Sequence, residues 1–232
     1  MVTRLDSSKI KETILLFRQE RKETFRYASY DFCYLYFQEH KGHLAENMEN
    51  SCMHLWSYLA SWGMLRGSSK LRLHSPAALK ELIAHFDETA KANPKLWDLD
   101  VDKYNDATIQ NLIDEYNTIG GILEKIMSDE KEKTYPSITL ITKMMLGVYG
   151  NIPAFDTYFI QTFHSMFGGF GVCKEKEFKN IYKFYIDNKD LLDKLCEEVK
   201  VIDFNGHTTD YHYKLAKLID MYGFSLNAPE NN

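Results

Sequence analysis

The chain has 232 residues, 44% hydrophobic and 26% charged, and a formal charge of -5. These fractions belong to a folded globular protein, which excludes a disordered or fibrous chain. The negative balance of 28 Lys and Arg against 33 Asp and Glu excludes a protein that coats nucleic acid or anionic membrane by bulk charge. Aromatic content is high, with Tyr 15, Phe 14 and Trp 3, which fits either an aromatic core or a stacking cleft.

The N-terminal stretch Met1 to Lys9 has no apolar run, so no signal peptide is expected and a cytoplasmic location is inferred. Apolar residues then recur at helical spacing. Ile10, Ile14, Leu15 and Phe17 predict a first helix after Ser7 or Ser8. Phe32, Leu35 and Tyr36 predict a second, ending near Gly42. Met53, Trp56, Leu59, Ala60 and Met64 predict a third, ending at 66–69. Ser75-Pro76 opens a fourth in the arrangement of a cap followed by proline, carrying Leu79, Leu82, Ile83 and Phe86. Asp106 is the expected cap of a long helix that Gly120 and Gly121 weaken, kink or pack closely.

Pro136-Ser137 begins a further helix to about Tyr149, and Gly150-Asn151-Ile152-Pro153 turns into another through Met166. Gly168 to Gly171 breaks the chain. Helices are expected over 175–198 and 209–222, with 201–204 as the one plausible strand. The fold class is all-α, a single globular domain (1–232) of roughly eight to ten helices, with possible sub-lobes of 45–135 and of 1–44 plus 136–232. No stretch reaches the about 20 apolar residues that span a bilayer, so no membrane partner is expected. Cys33, Cys52, Cys173 and Cys196 are widely spaced and read as buried thiols. His40 with His43, and His207 with His212, lack further ligands; no metal and no cofactor is expected.

Charge is uneven. No Asp or Glu occurs from Asn50 to Lys80, where Arg66, Lys70, Arg72 and Lys80 lie, or from Thr134 to Phe155, where Lys143 is alone. Glu81 to Glu132 instead holds thirteen acidic residues against five lysines. The acid-free stretches are either core helices or parts of a local basic surface.

After the second of them stands Asp156, at the start of a helix, in Pro153-Ala154-Phe155-Asp156-Thr157-Tyr158-Phe159. Its plainest role is a helix N-cap. The segment also resembles the helix–hairpin–helix DNA glycosylase superfamily, where a helix ending in aromatic-Gly leads to Pro-x-x-Asp-Thr-x-aliphatic. Leu59 to Gly63 and Ser75 to Leu82 resemble the family's upstream turn and small helix more loosely. The resemblance implies the family fold, DNA as a partner and Asp156 as the catalytic carboxylate of a base-excising N-glycosylase. Where the family's hairpin has glycines this chain has Tyr135-Pro136-Ser137-Ile138. Thr139 occupies the place of the lyase lysine, so the implied chemistry is monofunctional. Trp62, Tyr149, Phe155 and Tyr158 are then expected to line the substrate pocket. Arg66, Ser68, Ser69, Lys70 and Lys143 are expected on the DNA backbone. The alternative is a non-enzymatic helical protein of the same architecture that binds a protein partner or small ligand, and self-association is left open.

Overall fold

In the computed structural model, residues 7–19, 22–67 and 69–228 are described. Among them the chain forms α1 (Ser7–Gln19), α2 (Ser29–Glu39), α3 (Met48–Ser61), α4 (Lys80–Ala92), the single turn α5 (Pro94–Trp97) and α6 (Asp106–Met127). Then follow α7 (Ile138–Val148), α8 (Thr157–Phe167), α9 (Glu175–Asp187), α10 (Lys189–Glu198), strands β1 (Lys200–Ile202) and β2 (Thr208–His212), and α11 (Leu215–Ser225). The all-α expectation holds, with one helix more than the upper count.

Local chemistry explains most boundaries. Pro76 opens a 3-10 turn that runs into α4, and Leu79, Leu82, Ile83 and Phe86 are fully buried as their spacing requires. The cap of α6 is Asn105, one residue before the expected Asp106. Its side chain accepts from the amides of Ala107 and Thr108 while Thr108 Oγ1 accepts from the Asn105 amide, a reciprocal capping box. Gly120 and Gly121 lie inside unbroken α6, and a Cβ on Gly120 would stand 3.2 Å from the Ile141 side chain. That glycine serves close packing of α6 on α7. Gly168, at φ 66, closes α8 in the left-handed conformation.

Four further boundaries differ from the sequence reading. The third helix, expected to end at 66–69, ends at Ser61. The helix expected over 175–198 breaks at Asn188, whose amide side chain caps back on Phe184 O at 2.9 Å. The strand at 201–204 shifts to Lys200–Ile202, and the expected helix start at Thr209 is instead β2, paired antiparallel with Lys200 opposite His212. Asp31 of α2, fully buried, fixes this hairpin by accepting from the Tyr213 hydroxyl and the Ile202 amide.

α2 packs on α3 and α7, α8 on α11, and α11 on α1. One continuous apolar cluster runs from Ile10 in α1 to Phe224 in α11 and joins both stretches read as possible sub-lobes. No helix of the described residues is long and apolar enough to cross a membrane. The four cysteines are free, with Cys33 and Cys52 buried and Cys173 and Cys196 partly so.

Candidate active site

The site begins at the turn between α7 and α8. α7 is capped by Ser137 Oγ, which accepts from the Leu140 amide at 3.2 Å. At its other end the Gly150 amide closes onto Met145 O and Leu146 O, with φ 65. A side chain there would drive its Cβ to 2.7 Å from the Tyr34 ring, so glycine is required by both conformation and space.

The turn is then held from several sides. Lys214 donates to Tyr149 O at 2.9 Å, and its burial lowers its pKa to about 8. Asn151 Nδ2 donates to Leu96 O at 3.1 Å and Tyr104 OH to Asn151 O at 2.6 Å. The Phe155 amide donates to Thr142 Oγ1 at 2.8 Å, and Thr139 Oγ1 donates to Phe155 O at 2.9 Å. Asp220 of α11 accepts from the Ala154 amide at 3.0 Å. The carboxylate that follows this turn is therefore placed by contacts from α7, α11 and the α5–α6 region.

Asp156 caps α8: its Oδ1 accepts from the Phe159 amide at 3.0 Å. The cap leaves the second oxygen for other work. Oδ2 lies 3.2 Å from Lys143 Nζ, and the two side chains are only 11% and 4% exposed. Lys143 Nζ also stands 4.1 Å from the centre of the Trp62 ring. On the other side of the site Lys217, itself fully buried and 2.6 Å from Asp220 Oδ2, is 5.5 Å from the same ring. Trp62 is thus flanked by two ammonium groups, each matched to its own carboxylate.

Asp156 and Lys143 open into a cleft of about 680 Å³. This volume is within the range of sites that hold small molecules, roughly 300–1,000 Å³. Its aromatic wall is a packed series: Tyr27 on Trp62 at 5.1 Å, Trp62 against Phe224 at 5.7 Å, and Phe224 against Tyr158 at 5.4 Å. Arg26 and Arg66 also line it. Arg26 donates to the Tyr27 hydroxyl at 2.7 Å, and neither arginine forms a salt bridge with a described residue. Three cations and one carboxylate thus line the cleft, and Lys143 is the one that pairs with Asp156.

Of the expected pocket residues, Trp62 and Tyr158 line the cleft and Tyr149 and Phe155 do not. Tyr149 is fully buried on the far side of α7, edge-on to Trp97 at 4.9 Å, with its hydroxyl donating to Glu115 at 2.6 Å. Glu115 also hydrogen-bonds His85 Nε2 at 2.8 Å, and this bond raises the His85 pKa. Phe155 is fully buried and stacks on Phe159 in the interior between α8 and α9.

Of the expected backbone contacts, Arg66 lines the cleft, and Lys143 lines it too, engaged there by Asp156 and Trp62. Lys70 pairs with Glu132 at 2.7 Å on the surface outside the cleft. Ser69 borders an adjoining cavity, and Ser68 lies outside the described residues.

Sequence reasoning missed Arg26, Tyr27 and Phe224. They reach the cleft from the segment before α2 and from α11, far from the motif, and only tertiary packing brings them there. Thr139 and Thr142 were visible only as polar interruptions of an apolar run; their hydroxyls hold the Phe155 peptide. No group of three or more His, Cys, Asp or Glu among the described residues is arranged to hold a metal.

No protein-family model matches the chain, no curated protein matches it, and no solved structure matches its fold.

Proposed function

We propose that the protein hydrolyses the N-glycosidic bond of a base in DNA, as a monofunctional glycosylase-like enzyme with Asp156 as its carboxylate. The observation that carries this reading is the position of Asp156. One oxygen is spent on the α8 cap, while the residue itself lines a cleft with an aromatic wall and two arginines that form no salt bridge with a described residue.

In that reaction the bond from the sugar to the base nitrogen breaks and the base leaves with the electron pair. Positive charge grows on the sugar, and a fixed carboxylate nearby stabilises it without reorganising. Water adds to the sugar carbon and its proton passes to Asp156. The Lys143 ammonium faces the charge that develops on the departing base. Thr139, not a lysine, stands in the place of the lyase nucleophile, so the reaction on this reading is monofunctional and runs without a covalent enzyme–DNA adduct. Tyr27, Trp62 and Tyr158 supply faces against which an extruded base packs. Arg26 and Arg66 meet the phosphates on either side.

The test uses purified protein with single-stranded and duplex DNA carrying oxidised, deaminated or alkylated bases, read as alkali-labile abasic sites. Asp156→Asn is the decisive variant, because Asn caps a helix as well as Asp and so removes the charge without removing the cap. It is expected to lower the rate at least about a hundredfold with an unchanged circular dichroism spectrum. Undiminished base release by Asp156→Asn overturns the assignment. If no DNA yields abasic sites but a ligand still binds the cleft, the non-enzymatic reading takes its place.

A further inference from the structure

A second cavity of about 240 Å³ adjoins the cleft, and Met64, Arg66 and Ser137 line both. Its character differs from that of the first. Met127 and Leu140, both buried, form an apolar floor, and Tyr135 forms part of the wall while remaining 67% exposed. The Ser69 and Thr134 hydroxyls are buried beside it with no hydrogen-bond partner among the described residues. Buried hydroxyls are costly when unsatisfied, and such atoms at a cavity wall are suited to a polar ligand edge. Arg66 stands at the partition between the two spaces. It folds back across Gly63, where a Cβ would come within 2.6 Å of its guanidinium, and Gly63 holds φ 74.

The geometry points to a binding groove for two adjacent nucleotides of one strand. The cleft at Asp156 takes the nucleotide that reacts, Arg66 takes the phosphate between them, and the second cavity takes the neighbouring base. That base stacks on Tyr135 and its polar edge meets the Ser69 and Thr134 hydroxyls. Lys133, whose Nζ is 5.0 Å from the Tyr135 ring centre, packs against that ring at the outer end while its ammonium pairs with Glu124 at 2.7 Å. The inference rests on the reading of the cleft as a nucleic-acid site and adds to it a contact with the flanking base.

The experiment measures binding of a fluorescent single-stranded oligothymidylate to the full chain by anisotropy at one fixed salt concentration. Tyr135→Ala is expected to weaken binding at least about fivefold, the lower end of what stacking one base on an aromatic ring supplies. Tyr135→Phe keeps the ring and is expected to bind as the native protein does. Thr134→Val deletes one hydroxyl without changing shape and is expected to weaken binding in the same direction. Equal affinity for all these proteins, or no binding by the native one, overturns the inference. A loss with Tyr135→Ala but none with Thr134→Val places the stacking outside the cavity and overturns it as well. The two readings fail separately. Base release with Tyr135-independent binding sinks the groove alone, whereas Tyr135-dependent binding without base release sinks the glycosylase chemistry alone.

Discussion

Asp156 illustrates how one carboxylate serves two ends, because its oxygens are addressed by different partners. The structural cap and the cleft-facing charge, alternatives on the sequence, coexist in the fold. The Lys143–Asp156 pair is nearly excluded from water, and removing one partner of such a pair leaves a buried charge uncompensated. Lys143→Met is therefore expected to destabilise the protein by about 3 kcal/mol. The double variant Lys143→Met with Asp156→Asn should recover much of that loss. Urea denaturation of the four proteins in a double-mutant cycle gives the coupling directly. Additive losses would show that the two groups do not sense each other.

Helices α8 and α11 make the wall and the hold of the site, and they approach closely because Gly223 has no side chain. A Cβ there would lie 2.3 Å from Phe159 Cδ2. Gly223→Ala is expected to cost roughly 1–3 kcal/mol through overpacking, despite alanine's better helix propensity. A thermal melt reads it as a drop of several degrees. Elements whose signals are local were legible in the sequence: the Pro76 start before α4, the Ser137 and Asp156 caps, the Gly150 turn and the Gly168 stop. Elements set by their neighbours were not. The apolar period of α9 continues across Asn188, so nothing local announces the break. Residues 208–212 become a strand because β1 and Asp31 receive them, although Thr209 reads equally well as a helix cap.

Across the whole molecule the charge of -5 conceals a division of labour. The acidic balance belongs largely to the region 81–132, while the cleft draws on Arg26, Arg66 and Lys143. On the proposed reading, with neither Arg26 nor Arg66 ion-paired to a described residue, DNA affinity should depend weakly on salt, with a log–log slope of about -2. Arg66→Ala should reduce that slope by about 1. A native slope several times steeper would mean that a different and broader basic face carries the DNA. The aromatic residues divide as well: Tyr30, Tyr58, Trp97, Phe155 and Phe163 fill the interior, and Tyr27, Trp62, Tyr158 and Phe224 form the wall. Composition alone reported both uses at once. The motif pointed to the turn that borders the cleft, but half of the wall comes from segments without any motif.

The bond from Asp220 to the Ala154 amide, and the closing of the wall by Phe224, have a consequence during synthesis. α7, the turn and α8 leave the ribosome well before α11. Until residues 214–224 follow, the turn lacks its Lys214 and Asp220 partners and the cleft lacks one side. A domain generally folds as a unit, so a nascent chain paused before α11 carries the motif without the site. The activity proposed for the protein is then acquired only after α11 has been made, and a growing chain does not bring a half-formed cleft to DNA.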